Sequence, residues 1–223
     1  MRLRHVGPGV GALVLAGSLA AAPPAYAKEI RGTSGPDQLV GTAKPDEIHA
    51  RAGADQVLAR GGGDEVFAGA GGDAVSGGDG RDIVRGQAGA DLLRGQQSRD
   101  ALRGGFGNDV LVGGEGTDTL GSLFQRVGGG GDDTLRGGRD ADALVGGKGA
   151  DVLRGGGNKT AGEFLQPDRG RDVVYGGPGD DTVFLAVDGS RDVVRCGSGS
   201  DTIRYRKADP RDVVISCETV ETQ

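Results

Sequence analysis

From Leu39 onward the chain carries an aliphatic residue at every ninth position: Leu39, Ile48, Val57, Val66, Val75, Val84, Leu93, Leu102, Leu111 and Leu120 follow without a slip. Two places before each stands an aspartate, from Asp37 and Asp46 through to Asp109 and Asp118. Neither position forces the other, so their agreement fixes a nonapeptide repeat from Gly32, with Asp sixth and the aliphatic residue eighth. After six residues the register resumes at Asp133, Asp142 and Asp151. After a longer break it continues less evenly through Asp172, Asp181, Asp192, Asp201 and Asp212, each again followed two residues on by Val or Ile.

The last three residues of a unit are β-formers around an apolar centre, and the first six are rich in glycine. This predicts a six-residue turn and a three-residue strand, with the eighth side chain inward and the seventh and ninth outward. A single unit cannot bury its aliphatic residue. Units two apart, stacked on each side, bury it in a thin core between two parallel sheets.

Composition changes the picture only through that period. Forty-seven glycines, no Trp, three Tyr and five Phe leave little bulk for an ordinary interior and read as disorder unless the repeat organises them. The first residues carry Arg2 and Arg4, an apolar stretch follows over 6–22, and Ala25-Tyr26-Ala27 supplies the small residues of a cleavage site. A basic start, apolar middle and A-x-A end predict a signal peptide, hence a secreted, extracellular chain from about Lys28 with no membrane span after cleavage. Losing the two arginines takes the formal charge from −6 to −8. An acidic exported chain argues against nucleic acid and toward cations.

The glycine-rich turns let main-chain carbonyls converge, and the Asp adds a hard anionic oxygen beside them. Such ligands suit Ca²⁺ and do not suit zinc or copper. GGDGRD at Gly77, GGFGND at Gly104, GGEGTD at Gly113, GGGGDD at Gly128, GGKGAD at Gly146 and GGPGDD at Gly176 resemble the GGxGxD turn of the RTX (repeats-in-toxin, hemolysin-type) calcium-binding family. The resemblance implies an all-β, right-handed parallel β-roll with two units per coil and Ca²⁺ held between turns two units apart. It nominates Asp82, Asp109, Asp118, Asp133, Asp142, Asp151 and Asp181 as metal ligands.

Departures from the motif limit that transfer. Arg51 and Arg60 sit at second positions, and Lys44, Ser98, Asp140, Ser190 and Pro210 replace the fourth-position glycine. Calcium is expected most firmly between Gly104 and Asp151, less before Gly77 and after residue 187. A turn-capping Asp is the plainer alternative at any one unit. Arginines beside or after the Asp, such as Arg81, Arg99 and Arg171, raise a second alternative, in which guanidinium replaces the cation.

The expected map is a signal peptide over 1–27 and one repeat domain over 28–223: regular repeats at 32–121, insertions at 122–127 and 155–166, and an irregular end at 187–223. Each insertion holds a Leu/Phe pair, Leu123-Phe124 and Phe164-Leu165, suited to a lid over the core or to a partner. Cys196 and Cys217, an even pair in an exported chain, are expected to form a disulfide that fastens the last coil.

The function that follows is a calcium-binding structural or interaction protein, not an enzyme, whose partners are calcium ions and an extracellular glycan or protein of unknown identity. After residue 27 the chain has one histidine, His49, and neither an HExxH nor a GxSxG motif. A cell-surface adhesin or toxin-associated module, or a carboxylate-based polysaccharide-modifying enzyme, are the alternatives.

Overall fold

A computed structural model describes residues 28–121, 130–157, 162–186, 188–205 and 209–222. The expected signal peptide and the insertion at 122–127 lie outside the described residues.

Among the described residues the chain forms twenty-one strands and no helix. The first four set the pattern: β1 (Lys28–Arg31), β2 (Gln38–Val40), β3 (Asp46–Ala52) and β4 (Gln56–Gly61). β1 pairs with β3, placing Ile30 beside Ile48, and β2 pairs with β4, placing Leu39 beside Val57, both parallel. The alternation continues to the last strand, giving one sheet of eleven odd-numbered strands and one of ten even-numbered strands. The molecule is a parallel β-roll with two units to each coil. The eighth-position residues from Ile48 to Ile203 are buried in a single column between the sheets.

The strands are longer than the sequence pattern suggests. A typical strand such as Thr134–Arg139 runs from the seventh position of one unit to the third position of the next, leaving three residues to turn. Its burial alternates, so the first position faces inward as well as the eighth. Glycine at the second position is therefore inside a strand, where it serves a positive φ: Gly78 has φ +115. A Cβ there would also collide with the carbonyl of Arg60 one coil earlier. The Arg and Gln residues at this position, Arg51, Arg60, Gln87 and Gln96, keep positive φ values of 82 to 90. They alternate with glycine along each stack, as Arg51, Gly69, Gln87 and Gly105.

The described part of 155–166, expected to be an insertion, belongs to a further unit. Phe164–Arg169 is a strand of the eleven-stranded sheet, with Leu165 beside Leu144 and Val183 and buried in the core. Phe164-Leu165 is thus neither a lid nor a loop. Glu163 takes the sixth position, where the repeat predicts Asp. At the other end, Thr219–Thr222 adds a last strand beside Thr202–Tyr205, and Glu218 takes the sixth position there. Cys196 and Cys217 are joined across this end, with Cα atoms 5.2 Å apart.

Candidate metal centre

From Asp55 onward each sixth-position Asp among the described residues is held by the coil before it. The main-chain N–H of Asp64 donates to Asp82 Oδ1 at 2.8 Å, that of Asp82 to Asp100 at 2.8 Å, and that of Asp100 to Asp118 at 2.8 Å. The same bond crosses both breaks in the repeat, from Asp109 to Asp133 at 2.9 Å and from Asp151 to Asp172 at 2.8 Å. One oxygen of each of these aspartates is thus satisfied.

The other oxygen is not. Oδ2 of Asp82, Asp91, Asp100, Asp109, Asp118 and Asp142, like that of Asp151 and Asp181, is buried without a hydrogen-bond partner. A buried carboxylate oxygen with no proton or cation beside it is costly. Burial, with the neighbouring carboxylates adding to it, pushes Asp82, Asp100 and Asp142 up to about 7 and Asp172 to about 8, against the opposing pull of the backbone N–H bond. The same causes, with the Asp181 carboxyl beside it, hold Glu163 far above the ordinary range.

Main-chain oxygen converges on the orphaned atom. At the first-position glycines a Cβ would run into the unit's own Asp Oδ2 and the carbonyl one coil on. On Gly113 it would meet Asp118 Oδ2 and lie 2.6 Å from Gly137 O; on Gly137, Asp142 Oδ2 and 2.5 Å from Gly155 O; on Gly146, Asp151 Oδ2 and 2.8 Å from Pro167 O. Glycine leaves this cradle open. Its donors are a carboxylate and carbonyls, all hard oxygens, and the set fits Ca²⁺. Among the described residues no three acidic, His or Cys side chains gather at one point, so a cation here draws most of its ligands from the main chain.

The pattern of the chain is matched by the model of the RTX calcium-binding nonapeptide repeat over residues 31–66, 59–93, 67–102, 85–120, 127–158 and 168–188. The chain belongs to the RTX calcium-binding nonapeptide repeat family. Calcium is the ion these repeats bind. Comparison with curated proteins finds no match.

Within the RTX frame, six of the seven nominated residues, Asp82, Asp109, Asp118, Asp142, Asp151 and Asp181, share the orphaned oxygen and a first-position glycine. Asp133 accepts the Asp109 N–H in the same way, but its first-position residue lies outside the described residues. Asp91 and Asp100, outside the nominated set, have the same cradle: a Cβ on Gly86 would lie 2.6 Å from Gly104 O, and one on Gly95 2.8 Å from Gly113 O. The first-position glycine is the signal that would have found them. In the early units Ala50, Ala59 and Ala68 put a methyl group at that place.

Among the described residues no ion pair joins an arginine to these aspartates. Among the described residues the ion pairs join glutamates to cations on the outer surface, as Glu65 with Arg85 at 2.6 Å and Glu221 with Arg204 at 2.8 Å.

Proposed function

We propose that the chain is a secreted protein in which Ca²⁺, held by sixth-position carboxylates and first-position carbonyls from Gly77 onward, drives folding of the β-roll, and that the folded roll serves a structural or interaction role. The ladder of orphaned Oδ2 atoms carries this reading. Carboxylates one coil apart repel, and their burial is unfavourable until a proton or a cation joins them. Calcium supplies that charge, so binding and folding are one process. Extracellular calcium modules bind at about 10⁻⁴ to 10⁻³ M, a range that leaves the chain unfolded until it meets external calcium.

The signal-peptide pattern over 1–27 supports export, and no helix among the described residues is long and apolar enough to cross a membrane. The described residues from Lys28 on belong to the roll, which supports a role without catalysis.

Titrating calcium into the chelated full chain while recording circular dichroism tests this. A cooperative gain of β-structure in the submillimolar to millimolar range is expected. The same spectrum with and without calcium would refute the coupling.

A further inference from the structure

The outer faces of the two sheets differ in charge. On the eleven-stranded sheet the outward residues include Glu47, Glu65 and Glu221, which pair with His49, Arg85 and Arg204. On the ten-stranded sheet no seventh- or ninth-position residue is acidic. Its ninth-position row instead runs Arg94, Val112, Arg136, Arg154, Tyr175 and Arg195 over six consecutive strands. The four arginines are exposed, and none pairs with a carboxylate among the described residues.

This row is ordered. Parallel strands stack at about 4.8 Å, so its side chains form a straight line of regular pitch. Arg154 and Arg195 flank Tyr175, with guanidinium carbons 5.1 and 5.7 Å from the ring centroid, which holds both cations in the row. Alongside, Val152, Val173 and Val193 form a half-buried apolar rail. Exposed Arg171 and Arg191 sit two residues before Val173 and Val193, on the turns that feed these strands. Of the acids on these turns, Asp132 accepts from the main chain of Ala150, Asp188 from Gly170 and Ser190, and Asp209 from Gly189 and Arg211. Asp79 and Glu115 lie at the far ends of strands in the N-terminal half, and Glu115 is paired with Arg139.

We propose that the outer face of the ten-stranded sheet, from Arg136 to Arg195, binds a linear acidic polysaccharide, its carboxylates on the arginine row and its sugar rings along the valine rail. Guanidinium is the side chain suited to bidentate carboxylate recognition. A chain of sugars with one carboxylate per ring is the polyanion that a single row of cations and a flat apolar strip complement. Duplex DNA, with a charge about every 1.7 Å along its axis, is far denser in charge than a single row of cations about 4.8 Å apart complements. This inference rests on the extracellular interaction role proposed above and names its partner.

The test is fluorescence anisotropy of an end-labelled galacturonic acid hexamer with the full chain in calcium, beside Arg154→Gln/Arg195→Gln, a neutral galactose hexamer and oligothymidylate. Saturable hexamer binding is expected, weakened about tenfold or more in the variant, with no binding of the neutral sugar. Equal affinity of the variant would place the polymer on the calcium edges and overturn the proposal. Absent binding, or tighter binding of oligothymidylate, would overturn it too. Circular dichroism of the same samples keeps the outcomes separate: a variant that folds with calcium as the parent does, yet binds no hexamer, supports the site, and a parent that folds with calcium but binds no hexamer refutes this inference alone.

Discussion

The N–H of Asp100 donates to Asp118 Oδ1 at 2.8 Å, and the second oxygen of Asp118 is buried with no partner. One carboxylate thus does two things, and substitution separates them. Asp118→Asn keeps an oxygen for the Asp100 N–H and replaces the orphaned oxygen with an amide NH₂ close to Gly137 O. It is expected to bind less calcium and to need less of it to fold. Asp118→Ala also removes the acceptor and leaves a buried N–H unpaired, a loss of about 1–3 kcal/mol. Thermal unfolding of the two variants, with and without calcium, checks this: Asn should be the more stable in both conditions.

Gly113→Ala addresses the cradle directly. The methyl group would occupy the space shared by Asp118 Oδ2 and Gly137 O, while Ala50, Ala59 and Ala68 show that the fold accepts a methyl at this position. Titration calorimetry should therefore find a lower calcium stoichiometry with the calcium-loaded β-spectrum retained. Unaltered stoichiometry would argue that the cation does not sit beside the first position.

Much of this was legible in the sequence, because two positions of fixed chemistry repeat at fixed spacing and each has one place to go in a stacked coil. The Asp and aliphatic columns are where the pattern put them. Glu163 was not legible: a Glu in place of Asp and extra residues inside its unit broke the count, so Phe164-Leu165 looked like a loop. Strand length was hidden for another reason. Glycine at the second position reads as turn, whereas stacking main chain on main chain requires it within the strand, as at Gly78 above Arg60.

Acidity should act in opposite directions on the two forms of the protein. A carboxyl whose pKa is higher in the folded state stabilises that state fully below its unfolded value, and the contribution is lost as pH rises through the folded value. For Asp82, Asp100 and Asp142 this window runs from 3.8 to about 7. The calcium-stripped chain is expected to be more ordered near about pH 5 than near about pH 8. With calcium the order reverses, since protons compete with the cation for the same oxygens. Circular dichroism of both forms across this range measures the two slopes.

The link between Cys196 and Cys217 closes a separation of 21 residues over the last strands. In the chain-entropy account a loop of that size contributes about 3 kcal/mol. Cys217→Ser should lower the calcium-loaded unfolding midpoint by roughly 5–10 °C. Hydrogen exchange should quicken first in Val213–Ile215 and Thr219–Thr222, the strands nearest the lost link.

The central claim is that calcium occupies the buried oxygens of the aspartate ladder, and a crystal structure of the calcium-loaded chain with anomalous scattering tests it most directly. The account predicts cation peaks between sixth-position Oδ2 atoms and first-position carbonyls at Asp82, Asp118, Asp142 and Asp151, and no peaks beside Ala50, Ala59 and Ala68. Oδ2 atoms bonded to protein groups at those four aspartates, with no cation density, would contradict it.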